Sequence, residues 1–221
     1  MLNPWLSLRD TPPYVLDVDA DEIEAYCRKQ TKNSALALDS IPEPWIGNPQ
    51  SATVVLLLLN PGHSPRDSTA HSDPRFKQAL FSNLRREPQD YPFYPLNPSF
   101  SSTPSALWWR KRLAKLICET SLTPETLSKK LLAIEWFPYH SRNSGLPARR
   151  ICKSQDYSFE LAREALANRL VVRMRSARHW AIAVKEFEPI PELKNPRSAY
   201  VSPGNMDPDL FESVLKALQE V

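Results

Sequence analysis

Ala52-Thr53-Val54-Val55-Leu56-Leu57-Leu58-Leu59, closed off by Asn60-Pro61-Gly62, is the stretch that decides how this chain folds. The run is apolar throughout, β-branched near its start, shorter than an ordinary isolated helix, and without a polar side to turn towards water. Such a segment predicts a strand covered on both faces, as in a parallel sheet packed between helices. Working outward, Leu131–Phe137 reads as a second buried strand, His179–Val184 as a third and Ser198–Val201 as a fourth. Helices are predicted over Val18–Lys29, over Pro74–Arg86 with Asp73 as N-cap, over Ser105–Thr120, over Tyr157–Arg175, and over Asp207–Leu218 with Pro208 in its first turn. Strands alternating with helices predict a single α/β domain over residues 1–221, three layers deep (α/β/α), around a four-stranded parallel sheet.

The composition excludes several classes. Charged residues make up 24% and the hydrophobic set 42% of 221 residues, which suits a globular domain and not a disordered, collagenous or coiled-coil chain. The three cysteines, Cys27, Cys118 and Cys152, lie far apart and form no CxxC pair, so neither a disulfide frame nor a metal cluster is expected, and no metal or other cofactor is assigned. No segment is apolar enough to span a membrane, and Met1–Asp10 lacks a basic leader followed by an apolar stretch. The expectation is a soluble cytoplasmic monomer without a membrane partner. A net charge of +3 permits a polyanionic partner and identifies none. The unusual numbers are 22 prolines against 4 glycines, which make the place of each glycine informative.

In an open parallel sheet, ligands bind beyond the carboxyl ends of the strands, where loops and helix starts converge. Those ends read Asn60-Pro-Gly-His-Ser64, Glu135-Trp-Phe-Pro-Tyr-His140 and Ser202-Pro-Gly-Asn-Met206. Gly62 and Gly204 each follow a proline there, and a Pro-Gly turn lets backbone approach a ligand closely, although it is also ordinary turn punctuation. Prolines 88, 92, 95, 98 and 104 hold an aromatic loop, Tyr91–Phe100, whose stiffness and rings favour binding.

Taken together, the apolar strand ending Leu-Leu-Asn60-Pro-Gly62, the aromatic loop followed by Leu107-Trp108-Trp109-Arg110, a second strand ending in a polar residue with Pro138 three positions on, and Ser202-Pro-Gly-Asn-Met206 resemble the uracil-DNA glycosylase superfamily. The resemblance is nearest to its mismatch-specific thymine/uracil and single-strand-selective uracil branches, and it runs from about Ala52 to Met206. It implies a monofunctional DNA glycosylase with DNA as partner, acting in repair or in defence against modified foreign DNA. On that likeness Asn60 orients the hydrolytic water, Phe93 or Tyr94 stacks on an extruded base with Phe100 as a lesser candidate, and Gly62 and His63 border the base. Ser202 stands where relatives place a histidine or asparagine that stabilises the departing base, so His140 or His63 compensates, or the reaction is slow or absent. Met206 takes the place of the wedge that fills the gap left by a flipped nucleotide, with Asn205 beside it. Arg66 and Arg142, with Arg110, Lys111, Arg149 and Arg150, are candidates for phosphate contacts. Lys153 is the one amine considered for a covalent mechanism.

Glu135 departs from the likeness, which has asparagine there. An amide both donates and accepts, whereas an ionised carboxylate only accepts, so it repels uracil O4 and favours the amine of a cytosine-type base. The alternative is that Glu135 pairs with an arginine and never meets substrate. Two readings compete with the enzyme: a non-catalytic nucleic-acid or nucleotide-binding module on the same fold, and an unrelated α/β enzyme acting on a small metabolite.

Overall fold

The computed structural model describes residues 1–30, 35–142 and 145–220. In chain order the helices and strands are α1 (Ala20–Cys27), β1 (Trp45–Gly47), β2 (Val54–Leu58), α2 (Pro65–Ser72), α3 (Pro74–Arg85), α4 (Pro104–Thr120), α5 (Pro124–Lys130), β3 (Leu131–Glu135), α6 (Gln155–Leu166), β4 (Leu170–Arg173), α7 (Ala177–Ala183) and α8 (Pro208–Gln219). They build an α/β fold around an open four-stranded sheet of order β1-β3-β2-β4.

The apolar run does form the central strand: Val54–Leu58 is buried throughout and pairs in parallel with β3 on one side and β4 on the other. The sheet is nevertheless mixed, because β1 lies antiparallel against β3, with Trp45 opposite Ile134 and Gly47 opposite Leu132. This edge strand escapes a reading by pattern, since three residues between Pro44 and Pro49 carry no alternation. Gly47 is required there. Its φ is +114°, and a Cβ would come within 2.2 Å of the Leu131 carbonyl oxygen.

Three expectations in the C-terminal half are corrected. The helix expected over Tyr157–Arg175 stops at Leu166, and Leu170–Arg173 turns into β4, because Val171 and Val172 insert beside Val55 and Leu56 instead of continuing an amphipathic face. His179–Val184 is no strand, and most of it belongs to α7, whose buried Trp180 anchors it by donating its ring N–H to the Leu58 carbonyl at 2.6 Å. Ser198–Val201 joins no sheet ladder: Ala199 has φ +53°, and the Val201 N–H reaches the Arg112 carbonyl.

The proline surplus has a structural use. Pro65, Pro74, Pro104, Pro124 and Pro208 each open a helix, preceded by Ser64, Asp73, Thr103, Thr123 and Asp207 as N-caps. Such starts fix where helices begin and hence where the loops between them sit.

For the site, the consequence is registration. Leu58 pairs with Glu135, so the ends of β2 and β3 are level, and the N–H groups of Met174 and Arg175 both bond the Leu57 carbonyl just past β4. Asn60, Glu135 and Arg175 therefore emerge from three adjacent strand ends. Arg175, not Ser202, supplies the third strand's contribution.

Candidate active site

A cavity of about 460 Å³ opens at those strand ends, with Asn60, Gly62, His63, Glu135, His140 and Arg142 in its lining. Six of the expected residues thus come together. A second cavity of about 470 Å³ lies elsewhere, lined by Met1, Arg149, Arg150 and the outer side of α6. It has neither Asn60 nor Glu135, and Arg150 in it is already paired with Asp156.

Asn60 is fixed by its surroundings. Its Nδ2 lies 3.0 Å from the Pro61 carbonyl, 3.3 Å from the Tyr139 carbonyl and 2.9 Å from Ser141 Oγ. Those acceptors hold the amide's N–H side, so Oδ1 is the atom left to accept a hydrogen bond from a water or ligand; among the described residues no donor engages it.

The lining is acidic, and its acids are buried. Glu135 is 4% exposed, and its Oε2 has no hydrogen-bond partner among the described residues. Burial foremost, then the charge of Glu43, pushes its carboxyl well above the usual range, and Arg175 pulls it only partly back. The shift favours the protonated form, which donates as well as accepts, over the ionised form, which only accepts. Glu43, unrecognised in the sequence, lines the same cavity, is 5% exposed and leaves Oε1 without a hydrogen bond among the described residues. Burial raises its carboxyl too, against the lowering charge of His140 and a contact with Tyr94. Behind both acids the Tyr94 hydroxyl approaches Glu43 without completing a hydrogen bond of ordinary geometry.

Glu43, His71 and His140 place potential ligand atoms within 4.8 Å of one another, yet this donor set does not suit a metal ion. His71 Nδ1 accepts from the Ile41 N–H at 2.9 Å, so a neutral ring carries its proton on Nε2, the atom 4.0 Å from Glu43 Oε1. Burial keeps His71 neutral by lowering its pKa well below the ordinary value. His140 lies 2.8 Å from the Gly62 carbonyl through Nδ1 and 2.9 Å from the Ile41 carbonyl through Nε2, so neither nitrogen presents a lone pair to the cavity. It positions the turn at Gly62 more than it offers an acid to a substrate. His63, half-buried at the rim, contacts Ser68 Oγ at 3.2 Å, and burial followed by the charge of His140 lowers its pKa.

The wall is Trp108 and Trp109, which meet edge to face at 4.9 Å, with both rings in the cavity lining. Trp109 is core, while Trp108 is half-buried between the guanidinium groups of Arg112 at 4.8 Å and Arg175 at 5.9 Å. Arg142 is exposed at the mouth.

The expected stacking rings are elsewhere. Phe93 is 0% and Tyr94 1% exposed; Phe93 packs edge-on against Trp109 at 4.9 Å, and neither lines the cavity. The prolines of that loop seat its aromatics inward as core, and Phe100 packs on Phe76. Met206 is likewise fully buried and cannot act as a surface wedge. Asn205 is consumed by bonds to the Asn195 and Tyr200 carbonyls and by accepting from the Asn195 N–H. Ser202 and Arg66 do not line the cavity, Arg110 is tied to the Pro95 and Leu96 carbonyls, and Lys153 is exposed beside Glu22 at 3.6 Å. Glu43, Trp108 and Arg175 are the lining residues that sequence reasoning missed. For Trp108 the signal was present in the Trp-Trp-basic segment, but it reads equally well as core.

No protein-family model matches this chain, and no curated protein or solved structure shows significant similarity to it. Among the described residues, no helix is long and apolar enough to cross a membrane.

Proposed function

We propose that this protein is a monofunctional DNA glycosylase that hydrolyses the N-glycosidic bond of an unpaired base, acting in the cytoplasm on single-stranded or already opened DNA. The observation that carries the reading is the fixed amide of Asn60 in the lining of a cavity that also holds the buried Glu135, whose carboxyl is pushed above its ordinary range by burial. In this mechanism Oδ1 of Asn60 accepts a hydrogen bond from water and aims the water oxygen at the sugar C1′. The C1′–N bond breaks, its electron pair passes to the base, and water adds to C1′ and releases a proton to solvent. Glu135 supplies a proton to the departing base and recovers it from solvent, the part assigned to Ser202 by resemblance. Trp108 stacks on the base in place of Phe93 or Tyr94, and the exposed Arg142 meets the phosphates. The burial of Met206 supports a substrate whose base needs no wedge to leave a duplex.

The test is formation of abasic sites in oligonucleotides carrying uracil, mismatched thymine, hypoxanthine or substituted cytosines, as single strands and as duplexes. The wild-type protein is expected to release at least one of these bases, faster from the single strand. Asn60→Ala should slow release about 100-fold while changing oligonucleotide affinity little. DNA binding without release of any base would replace the enzyme by a non-catalytic binding module.

A further inference from the structure

The cavity lining is unusual in holding two carboxyl side chains, each more than nine-tenths buried and each with an oxygen that makes no hydrogen bond among the described residues. Buried polar groups in folded proteins are nearly always paired, and two unpaired acids in one lined hollow point to a missing partner with several N–H donors. We propose that Glu43 and Glu135 together clamp the exocyclic amine of an aminated nucleobase, of the cytosine or adenine type, so that Glu43 is a second specificity-determining residue of the site. The clamp rests on the glycosylase reading for the identity of its ligand as a nucleobase.

The edge strand makes the clamp. The Glu135 N–H bonds the Pro44 carbonyl at 2.9 Å and the Glu43 N–H bonds the Pro138 carbonyl at 3.1 Å, so the two backbones run side by side past the end of β1. That pairing holds the two Cα positions beside one another at the cavity. Arg175 acts on Glu135, His140 and Asp67 act on Glu43, and the charge of Glu43 is felt at Glu135. Two close carboxylates do not both ionise readily; one proton shared between them leaves one donor and several acceptors.

Counting donors then selects the ligand. The amine of cytosine or adenine has two N–H groups, one for each carboxyl, while the ring nitrogen next to it accepts the shared proton. Uracil, thymine and hypoxanthine offer one N–H on the equivalent edge and turn a carbonyl oxygen towards a carboxylate oxygen. The acid pair thus disfavours the bases that the resemblance alone would suggest.

Calorimetric titration of the intact protein at pH 7 with free cytosine, adenine, uracil and hypoxanthine tests this directly. Cytosine or adenine is expected to bind at least about tenfold more tightly than either carbonyl base, the equivalent of one charge-assisted hydrogen bond. Glu43→Gln and Glu135→Gln should each reduce that preference to within about threefold, with thermal unfolding verifying that both variants remain folded. Equal binding of all four bases, binding of none, or a preference untouched by Glu43→Gln overturns the clamp. Abasic-site formation is measured separately: cleavage by a wild-type protein without amine preference sinks only the clamp, and amine preference without cleavage sinks only the catalytic reading.

Discussion

Replacing Glu135 by glutamine should stabilise the protein at neutral pH and flatten its pH dependence. The carboxyl is 4% exposed, and burial with the Glu43 charge raises its pKa well above the ordinary 4.5. In the unfolded chain the group ionises near 4.5, whereas the folded protein keeps it protonated to higher pH. Between those two values the native state binds more protons than the unfolded state, so stability is full below the unfolded pKa and falls as pH rises. The slope is about 1.4 kcal/mol per pH unit for as long as the buried carboxyl holds its proton, which sets a ceiling of about 3 kcal/mol at pH 7. The amide of Glu135→Gln resembles the protonated acid and does not titrate, so at pH 4 the variant and the parent should be nearly equal in stability. Their free energies should then diverge above pH 5, the variant gaining by up to that ceiling. Urea unfolding at half-unit intervals from pH 4 to pH 8 gives the difference curve. Glu43 belongs to the same pair, so the double variant should gain less than the sum of the single ones, each neutralisation relieving the neighbour. A flat difference curve, or a variant that loses stability towards pH 8, would mean that Glu135 is ionised and satisfied in the folded protein, and the acid assigned to the departing base would be gone.

Trp108→Ala should weaken oligonucleotide binding by about 1–3 kcal/mol with little loss of stability, since the ring is half-buried between two arginines; Phe93→Ala should do the reverse, losing about 3–5 kcal/mol of stability because Phe93 is fully buried. Fluorescence polarisation and denaturant unfolding separate the two, and an exchange of the effects would restore the loop ring as the stacking surface. Gly47→Ala should cost at least about 3 kcal/mol, because the new methyl meets the Leu131 carbonyl at 2.2 Å in a backbone of φ +114°; a near-neutral value in urea unfolding would mean that β1 does not pair as described.

What the sequence makes legible follows from how much each segment can say by itself. Val54–Leu58 is five residues of unbroken apolar strand, and no surface element has that pattern, so the central strand and the Asn60 turn after it are readable. β4 is four residues with a half-buried Leu170 and Arg173 at its ends, directly following an amphipathic helix, so its register with β2 decides what periodicity cannot. That error passes on to the site: with the third strand misplaced, Ser202 is credited with a strand end that belongs to Arg175. β1 is invisible for a similar reason, and Glu43 goes with it, since only pairing with β3 brings Pro42-Glu43-Pro44 to the cavity. The aromatic loop shows the opposite limit. Proline stiffness is readable, but whether stiff rings face in or out depends on Trp109 and Phe76, which are distant in sequence.

The corrections to the sheet and to the site are one fact seen twice. The parallel part of the sheet offers the β2, β3 and β4 ends, which carry Asn60, Glu135 and Arg175, and thus a single acid beside an arginine. An antiparallel edge strand adds a second acid from the opposite chain direction, and backbone bonds keep it beside the first while both carboxyls stay buried. Protonation relieves the burial of both acids, and a donor-rich ligand would satisfy both at once. Hence the same two residues should govern both the fall of stability with rising pH and the choice of base.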